Sequence, residues 1–452
     1  MPAWTYTRTF IMVVACCLSG CAIYKPAPLP DGAEPHFADI TVDRNALPFP
    51  ELANHPFNAE DGLDSTEVAM LAVVNNPALK LARDDAGISH AQAFAAGLLP
   101  NPTVSYGMDF PQHTSGATTA FTAGIGIDLN ALITHAASAN AGRQNAHSTD
   151  LNLLWQEWQV VTQARLLTAR VLAQEKLRHW LEQNRDLLTS REAVAAAALL
   201  AGNVGADNAN GALLAAQDAA RLVNELQRQM QQALADLHSL LGLAPGTELH
   251  LIEEAPAAQL SDTAIDTALA RLPNRPDLLA LRAGYSAQDS RYRQAVLAQF
   301  PPFNLSLTKA HDNTGASSTG FAITFTLPVF DHNQGNIAVQ QATRQRLYDE
   351  YRLRLNTAYE DVARLRADMQ LESAQLQRLD AGMSTLDASA AHAKEALTRG
   401  DLDGPGYAGF ASADLQKHVE RDTLAGTLAE QRLALLMLIG GDFPSPGMEP
   451  KP

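Results

Sequence analysis

The chain has very few cysteines, and all of them lie near its start. Cys16, Cys17 and Cys21 are the three cysteines in 452 residues. The sequence after Cys21 therefore excludes disulfides, thiolate metal sites and cysteine nucleophiles. Basic residues are also fewer than acidic ones. The chain has 33 Lys and Arg against 49 Asp and Glu, which gives a formal net charge of −16. A chain this acidic is not expected to bind nucleic acid.

Long apolar runs and enzyme motifs are missing too. After residue 21 no run of about 18 apolar residues occurs, so no transmembrane helix is expected, and any membrane crossing would depend on strands. The sequence has no Gly-rich phosphate loop, no His-Glu-x-x-His and no Gly-x-Ser-x-Gly. We therefore predict no enzymatic activity, no cofactor and no metal site. His332, beside Asp331, leaves a role in handling cations open.

The first residues resemble a lipoprotein export signal. Arg8 precedes an apolar run over 9–18, which is too short to span a bilayer as a permanent helix. The run leads into Leu-Ser-Gly-Cys, and we predict a signal peptide over 1–20 with acyl chains on Cys21. Ala22 follows where an Asp would favour the inner membrane, so we expect anchoring to outer-membrane lipid. The alternative is a chance cysteine at the end of an ordinary secretory signal.

The chain then repeats itself at an offset of about 199 residues, which indicates an internal duplication. The matching segments are Asn76-Pro77-Ala78-Leu79 and Arg275-Pro276-Asp277-Leu278, with Arg83 and Arg282; Leu99-Pro100 and Phe300-Pro301; Leu129 and Leu327; 201–204 and 399–402; 240–242 and 438–440. We predict one repeat over 61–250 and a second over 251–442. An extended lipid-anchored segment over 21–60 precedes them, and a tail over 443–452 follows.

Hydrophobic periodicity predicts the same elements in each repeat. Alternation with period two, as in Val104, Tyr106 and Met108, predicts hairpin strands of about ten residues, a length that spans a bilayer when tilted. Proline-free stretches with apolar residues every three or four positions predict very long helices. The predicted elements are helices over 65–98 and 262–299, hairpins over 102–130 and 303–328, long helices over 135–201 and 335–398, and return helices over 206–241 and 408–439. Half-buried hairpins in a soluble domain are the alternative for the strands.

Four strands per chain are too few to close a membrane barrel. Open strand edges in lipid leave backbone groups unpaired, at a cost of several kcal/mol each, and the smallest barrels have about eight strands. The chain must therefore oligomerise if its strands enter a bilayer. Three copies would supply about twelve strands, so we predict a homotrimer.

These features resemble TolC-type outer membrane factors, the exit ducts of tripartite efflux pumps and of type I secretion. The resemblance is carried by the Leu-Ser-Gly-Cys motif at Cys21, the duplicated Asn-x-Pro-x-Leu starts and the Leu-Pro and Phe-Pro steps into the strands. The segment 327–331, followed by Gly335, and the glycine-centred reversals at Gly202 and Gly400 also match. It covers the chain from about residue 60 onward.

The resemblance implies a mainly α fold with membrane β strands. This is a trimeric 12-stranded β-barrel, with four strands per chain, continuous with a long periplasmic α-helical barrel. It also implies an inner-membrane pump and a periplasmic adaptor (membrane fusion) protein as partners. The adaptor would contact the periplasmic tip at Gly202, Val204, Gly400 and Leu402.

Family members often narrow the tip with acidic residues just after the second reversal, but 404–409 contains none. Asp207, Asp401 and Asp403 are therefore the candidate gate carboxylates, with ordinary turn and cap residues as the alternative. For the whole chain, the alternative function is a lipid-anchored periplasmic coiled-coil scaffold without a pore.

Overall fold

The structure is a computed structural model. It describes residues 24–29, 42–44, 47–112, 116, 118–244, 246–253 and 261–440. Residues 24–29 are exposed, have no regular secondary structure and belong to a separate N-terminal unit, and everything below concerns the unit that starts at Ala38. The predicted lipidation site Cys21 and the predicted tail 443–452 lie outside the described residues.

The predicted mainly α fold with four antiparallel strands per chain is confirmed, because the chain combines long helices with one sheet of four antiparallel strands. In the first repeat the elements are α1 (Pro50–Asn54), α2 (Ser65–Asn75), α3 (Pro77–Ala96), β1 (Thr103–Asp109), β2 (Ala120–Asp128), α4 (Leu129–Leu200) and α5 (Ala206–Leu241). In the second they are α6 (Asp262–Arg271), a 3-10 turn (Leu272–Asn274), α7 (Pro276–Leu297), β3 (Phe303–His311), β4 (Ser317–Phe325), α8 (Gln334–Arg399) and α9 (Gly404–Ile439). No helix of the described residues is both long and apolar enough to cross a membrane.

Each predicted leading helix is divided by a proline. Asn76 ends α2 and caps α3, because its side chain accepts a hydrogen bond from the backbone N–H of Leu79 and Pro77 occupies the first turn. Proline lacks an N–H and disfavours a helical conformation in the residue before it, so one continuous helix cannot form there. In the second repeat Pro276 likewise occupies the first turn of α7, but a 3-10 turn separates α6 from α7 and Arg275 makes no side-chain cap hydrogen bond.

The long helices are the largest elements. Helix α4 has 72 residues, and at 1.5 Å per residue it is about 108 Å long. It begins at Leu129 instead of the predicted 135, because the Asp128 carboxylate accepts hydrogen bonds from the N–H groups of Asn130 and Ala131 and so starts the helix directly after β2. Helix α8 has 66 residues.

The two reversals have the same backbone geometry. Gly202 and Gly400 end the long helices with φ values of 74° and 80°, which L residues with a side chain adopt at a cost. The next N–H in each case reaches back to a carbonyl in the last turn, at 2.8 Å from Asn203 to Ala198 and at 2.9 Å from Asp401 to Ala396. Helix α9 begins at Gly404, before the predicted 408, because Asp403 caps it.

The duplication also appears as a matched contact between distant residues. In the first repeat, the Asn76 side-chain amide donates to the carbonyl of Leu240 at 2.9 Å. In the second, the Arg275 guanidinium donates to the carbonyl of Leu438 at 3.0 Å. Each donor directly precedes the proline that starts α3 or α7, and each acceptor lies near the end of the return helix, α5 or α9. The matching position in each repeat therefore joins the start of a leading helix to the end of a return helix, through an amide in one repeat and a guanidinium in the other.

Candidate functional site

The four-stranded sheet has one apolar face that a single chain leaves exposed. Val104 pairs with Ile125, Ile125 with Leu307, and Leu307 with Phe321, so one apolar row crosses all four strands. These four side chains are 50–79 % exposed. The neighbouring row is made of small and polar residues, since Ser105 pairs with Gly124, Gly124 with Thr308 and Thr308 with Gly320. Such a sheet presents an apolar face to one environment and a polar face to another.

Both edges of this sheet are open in the single chain. The strand order is β1-β2-β3-β4, so the two hairpins pair through β2 and β3, and β1 and β4 are the outer strands. Among the described residues, β1 pairs with β2 alone and β4 with β3 alone. The strands have seven, nine, nine and nine residues, slightly shorter than the predicted ten. Their outer backbone groups need a partner wherever water is absent.

The helices also form an open arrangement. Helix α4 packs against α3 and α5 of the first repeat and against α7 and α9 of the second, whereas α8 packs against α7 and α9. The free side of α8 carries exposed apolar residues at Val339, Leu353 and Leu371. At about 100° per residue, these three positions lie within about 40° of one another around the helix. At the other edge, α3 exposes Leu81 and Phe94.

The predicted tip residues occupy the two reversals. Gly202 and Val204 lie in the first and Gly400 and Leu402 in the second. Both glycines are exposed, and both apolar side chains are half-buried. Each reversal thus presents a partly accessible aliphatic side chain directly after a glycine turn.

The three candidate gate carboxylates have different surroundings. Asp401 forms an ion pair with Arg399 at 3.0 Å. Asp403 caps α9 by accepting a hydrogen bond from the N–H of Gly406 at 2.9 Å. Asp207 lies exposed in the first turn of α5, and within the described part of the chain it makes no hydrogen bond or ion pair. The carboxylate of Asp207 is therefore the one not already used to stabilise a turn.

A polar cluster between the long helices was not identified from the sequence. Asp387 of α8 and Asp414 and His418 of α9 place one potential ligand atom each within 4.8 Å of one another. His418 Nε2 lies 2.9 Å from Asp387 Oδ1, and the His418 ring stacks on Trp180 of α4 with centroids 4.3 Å apart. Burial raises the pKa of Asp414, an effect that the nearby His418 opposes and the adjacent Asp387 carboxylate reinforces. The i,i+4 spacing of Asp414 and His418 was the one signal for this cluster in the sequence.

His332 does not belong to this cluster. Its backbone N–H donates to Gln334 Oε1 in the exposed turn before α8. In the residues that the structure describes, no group of three potential ligands includes His332. The open suggestion of cation handling at this histidine therefore has no support from its surroundings.

Buried ion pairs fix the leading helices. Arg83 of α3 contacts Glu157 of α4 at 2.8 Å, and burial raises the pKa of Glu157 although Arg83 opposes this rise through a hydrogen bond and its charge. In the second repeat, Arg275 pairs with Asp277 at 2.7 Å and lies over the ring of Trp155, 4.7 Å from its centroid. These groups are structural, since Arg83 joins α3 to α4 through Glu157 and Arg275 joins the start of α7 to α4 and α9.

Comparisons with known proteins find similar solved structures, whereas the searches based on sequence alone find no match. No protein-family model matches the chain, and no curated protein matches it. Among solved structures, CusC, described in the context of transmembrane channel formation, superposes with a TM-score of 0.67 at 17 % identity, covering 91 % of this chain and 99 % of that one. The Campylobacter jejuni CmeC outer membrane channel gives 0.70 at 15 %, covering 94 % and 96 %. The outer membrane protein VceC of Vibrio cholerae gives 0.67 at 15 %, covering 84 % and 97 %.

Proposed function

We propose that this chain, which has the fold of the TolC-type outer membrane channels, forms the outer-membrane exit duct of a tripartite efflux pump. The observation that carries the proposal is the near full-length agreement with structures of outer membrane channels. The exposed apolar row across the sheet supports it, because such a face is stable against lipid chains and costly in water. The duct conducts passively, and the pump supplies the driving force.

Three copies of the chain close the duct. Strand β1 of one copy pairs with β4 of the next, and twelve strands complete a barrel of a size known in membranes, about 8 to 26 strands. The same head-to-tail contact covers the apolar stripe of α8 with the α3 side of the neighbour. A heterologous contact of this kind forms a ring when its rotation closes. Both open edges of the chain are thus satisfied by one interface.

The reversals form the periplasmic end of the duct and contact the adaptor protein. Val204 and Leu402 are half-buried aliphatic side chains beside exposed glycines, a combination that suits helix-to-helix docking. Of the candidate gate residues, Asp207 is the strongest, because Asp401 and Asp403 already stabilise the second reversal. The acyl chains on Cys21 hold the trimer to outer-membrane lipid, and the inner-membrane pump is the second protein partner.

Labelling in intact cells tests the duct. The sequence has no cysteine after Cys21, so single substitutions are the sole reactive thiols of the mature chain. Ala316→Cys lies in the exposed turn between β3 and β4, and Ala201→Cys in the exposed first reversal is the matched control. We expect an impermeant thiol reagent to label residue 316 in intact cells and residue 201 only after the outer membrane is opened.

Two measurements separate the duct from the alternative. Crosslinking of detergent-extracted protein should yield a trimer, and the purified trimer should produce ion conductance in a planar bilayer. If residue 316 is protected in intact cells while the protein stays monomeric, the scaffold without a pore is correct and the duct is rejected.

A further inference from the structure

The cluster of Asp387, Asp414 and His418 has a geometry that its own hydrogen bonds do not explain. His418 lies between two helices, with its ring face on Trp180 of α4 and its Nε2 directed at Asp387 of α8. Stacking at an interplanar angle of 15° fixes the plane of the imidazole. Three side chains from α8 and α9 therefore converge on one point. The stacking on Trp180 fixes the orientation of the ring that supplies the nitrogen.

Two buried oxygen atoms, one on α9 and one on α4, lack hydrogen-bond partners within the described part of the chain. Asp414 Oδ1 is inaccessible to solvent and has no partner, although it belongs to the cluster. Asn184 of α4 is 4 % exposed, and its Oδ1 is also without a partner. A buried polar atom without a hydrogen-bond partner loses the hydration that it has in the unfolded chain and gains nothing in return. Asp414 Oδ1, which belongs to the cluster, therefore has a lone pair that is available to an added ligand.

The position of Asn184 follows from the pairing of α4 with α9. Ala173 and Trp180 of α4 face α9, since Ala173 lies against Gly426 and Trp180 donates to Asp422 at 2.9 Å. Asn184 lies four residues after Trp180 and eleven after Ala173. Both separations are close to whole helical turns, so the three residues lie on the same side of α4. The two helices run antiparallel and Trp180 contacts both His418 and Asp422, so the turn of Asn184 is about level with residues 414–418 of α9.

Nearby cations do not neutralise the cluster. Arg421, on the next turn of α9, donates to Asp380 at 2.9 Å and to Asp422 at 2.7 Å. Among the residues that the structure describes, His418 is therefore the one basic side chain that lies beside both the Asp387 and the Asp414 carboxylates. Two adjacent carboxylates favour either a shared proton or a bound cation.

We propose that Asp387, Asp414 and His418 bind a divalent first-row transition-metal cation such as Zn²⁺. One imidazole nitrogen and two carboxylate oxygens form a donor set that Zn²⁺ accepts, with water or the Asn184 oxygen in the remaining position. Ligand atoms around a tetrahedral ion at 2.0–2.2 Å lie about 3.4 Å apart, so side-chain rotations of well under a rotamer step close the present 4.8 Å spread. Ca²⁺ and Mg²⁺ are disfavoured, because they require six or more oxygen ligands.

Such an ion would join the outgoing helix to the return helix near the second reversal. Asp387 lies about 20 Å from Gly400 along α8 at 1.5 Å per residue. A metal at this level links α8 to α9 and restricts their separation at the reversal. The site depends only on helical residues of one chain, so its existence is independent of the channel function proposed above.

Metal titration of the full-length protein without an affinity tag tests the site. We expect wild-type protein to bind one more equivalent of Co²⁺ per chain than His418→Gln, with a visible absorption band that Zn²⁺ displaces. Asp414→Asn should weaken binding by at least tenfold. His90→Gln is the matched control, because His90 contacts Asp150 at the same 2.9 Å but has no third potential ligand beside it in the described ranges.

Equal Co²⁺ stoichiometry in wild-type protein and His418→Gln would overturn the proposal, as would equal losses in His418→Gln and His90→Gln. Should His418→Gln fail to fold, Asp387→Asn takes its place, because the Asp387 side chain is 52 % exposed and its amide variant keeps its size. Retention of the Co²⁺ band in Asp387→Asn and Asp414→Asn together would then reject the site.

Discussion

Helices α4 and α8 occupy matching places in the two repeats, but the chain buries them very differently. Sixteen residues of α4 are buried, against four of α8. Helix α4 lies between the remaining helices of both repeats, whereas α8 lies at the edge of the chain. Duplication thus produced one long helix for the interior of the protomer and one for its surface. One long helix is therefore packed within its own chain, whereas the other keeps most of its surface available for the association proposed above.

The hydrophobic clusters follow the same division. The cluster of the first repeat joins Phe49, Leu71, Trp158 and Leu241, and includes the N-terminal segment from Leu47 to Leu52. The cluster of the second repeat consists of Ile265, Val362, Leu435 and Ile439 with partly buried neighbours. Most of the apolar burial that stabilises a single chain therefore lies in the first repeat.

The largest effect should come from removing an aromatic side chain from α4. Trp158 is 4 % exposed and packs edge-to-face on Phe49, with centroids 5.5 Å apart. Trp158→Ala should lower the free energy of unfolding by about 3–5 kcal/mol, as cavities of this size do. Tyr359→Ala in α8, where the tyrosine is 40 % exposed, should cost only about 1 kcal/mol. Denaturant melts followed by circular dichroism measure both, and equal losses would contradict the division between the helices.

A second difference concerns two arginines at matching positions. Arg83 pairs with the buried Glu157, whereas Arg282 lies over the ring of Tyr351, 5.5 Å from its centroid. Arg83→Met leaves a buried carboxylate without its partner and should cost about 2–3 kcal/mol, somewhat less than a fully buried pair because Arg83 is partly exposed. Arg282→Met should cost less than about 1 kcal/mol.

A double variant sharpens this test. Because burial raises the pKa of Glu157, its charged form is the costly one, and Glu157→Gln removes that cost. Arg83→Met with Glu157→Gln should therefore recover most of the stability lost in Arg83→Met alone. If the double variant is as unstable as the single one, the arginine acts through packing of its alkyl chain and the electrostatic explanation is wrong.

The third prediction concerns the free surface of α8. Leu353 is 68 % exposed in the single chain and lies in the stripe with Val339 and Leu371. Leu353→Glu should leave the helix content of the protomer unchanged, because the side chain contacts little within its own chain. It should reduce the crosslinked trimer at least tenfold, since a charge would be buried in the interface. Leu353→Met is the control. A normal amount of trimer in Leu353→Glu would show that α8 is not part of the trimer interface.

Much of this fold was predictable because duplication and periodicity are local signals. The period-two alternation of Val104, Tyr106 and Met108 located β1, and glycines located both reversals. Helix starts were less predictable, because Asp128 and Asp403 stabilise α4 and α9 through caps that depend on backbone geometry. The ligand cluster was not found, because Asp387 lies far in sequence from Asp414 and His418 and is brought to them only by the second reversal.

The smallest expected effects compare the two reversals with each other. Helix α9 has a side-chain cap at Asp403, whereas α5 begins after Gly205 without one. Asp403→Ala should therefore lower stability by about 1 kcal/mol. Asp207→Ala should change stability by less than about 0.5 kcal/mol, since its exposed carboxylate interacts only with the N-terminus of α5.

If Asp207 narrows the duct, its removal should raise single-channel conductance at unchanged melting temperature. If conductance changes in Asp403→Ala but not in Asp207→Ala, the constriction lies at the second reversal and not at Asp207.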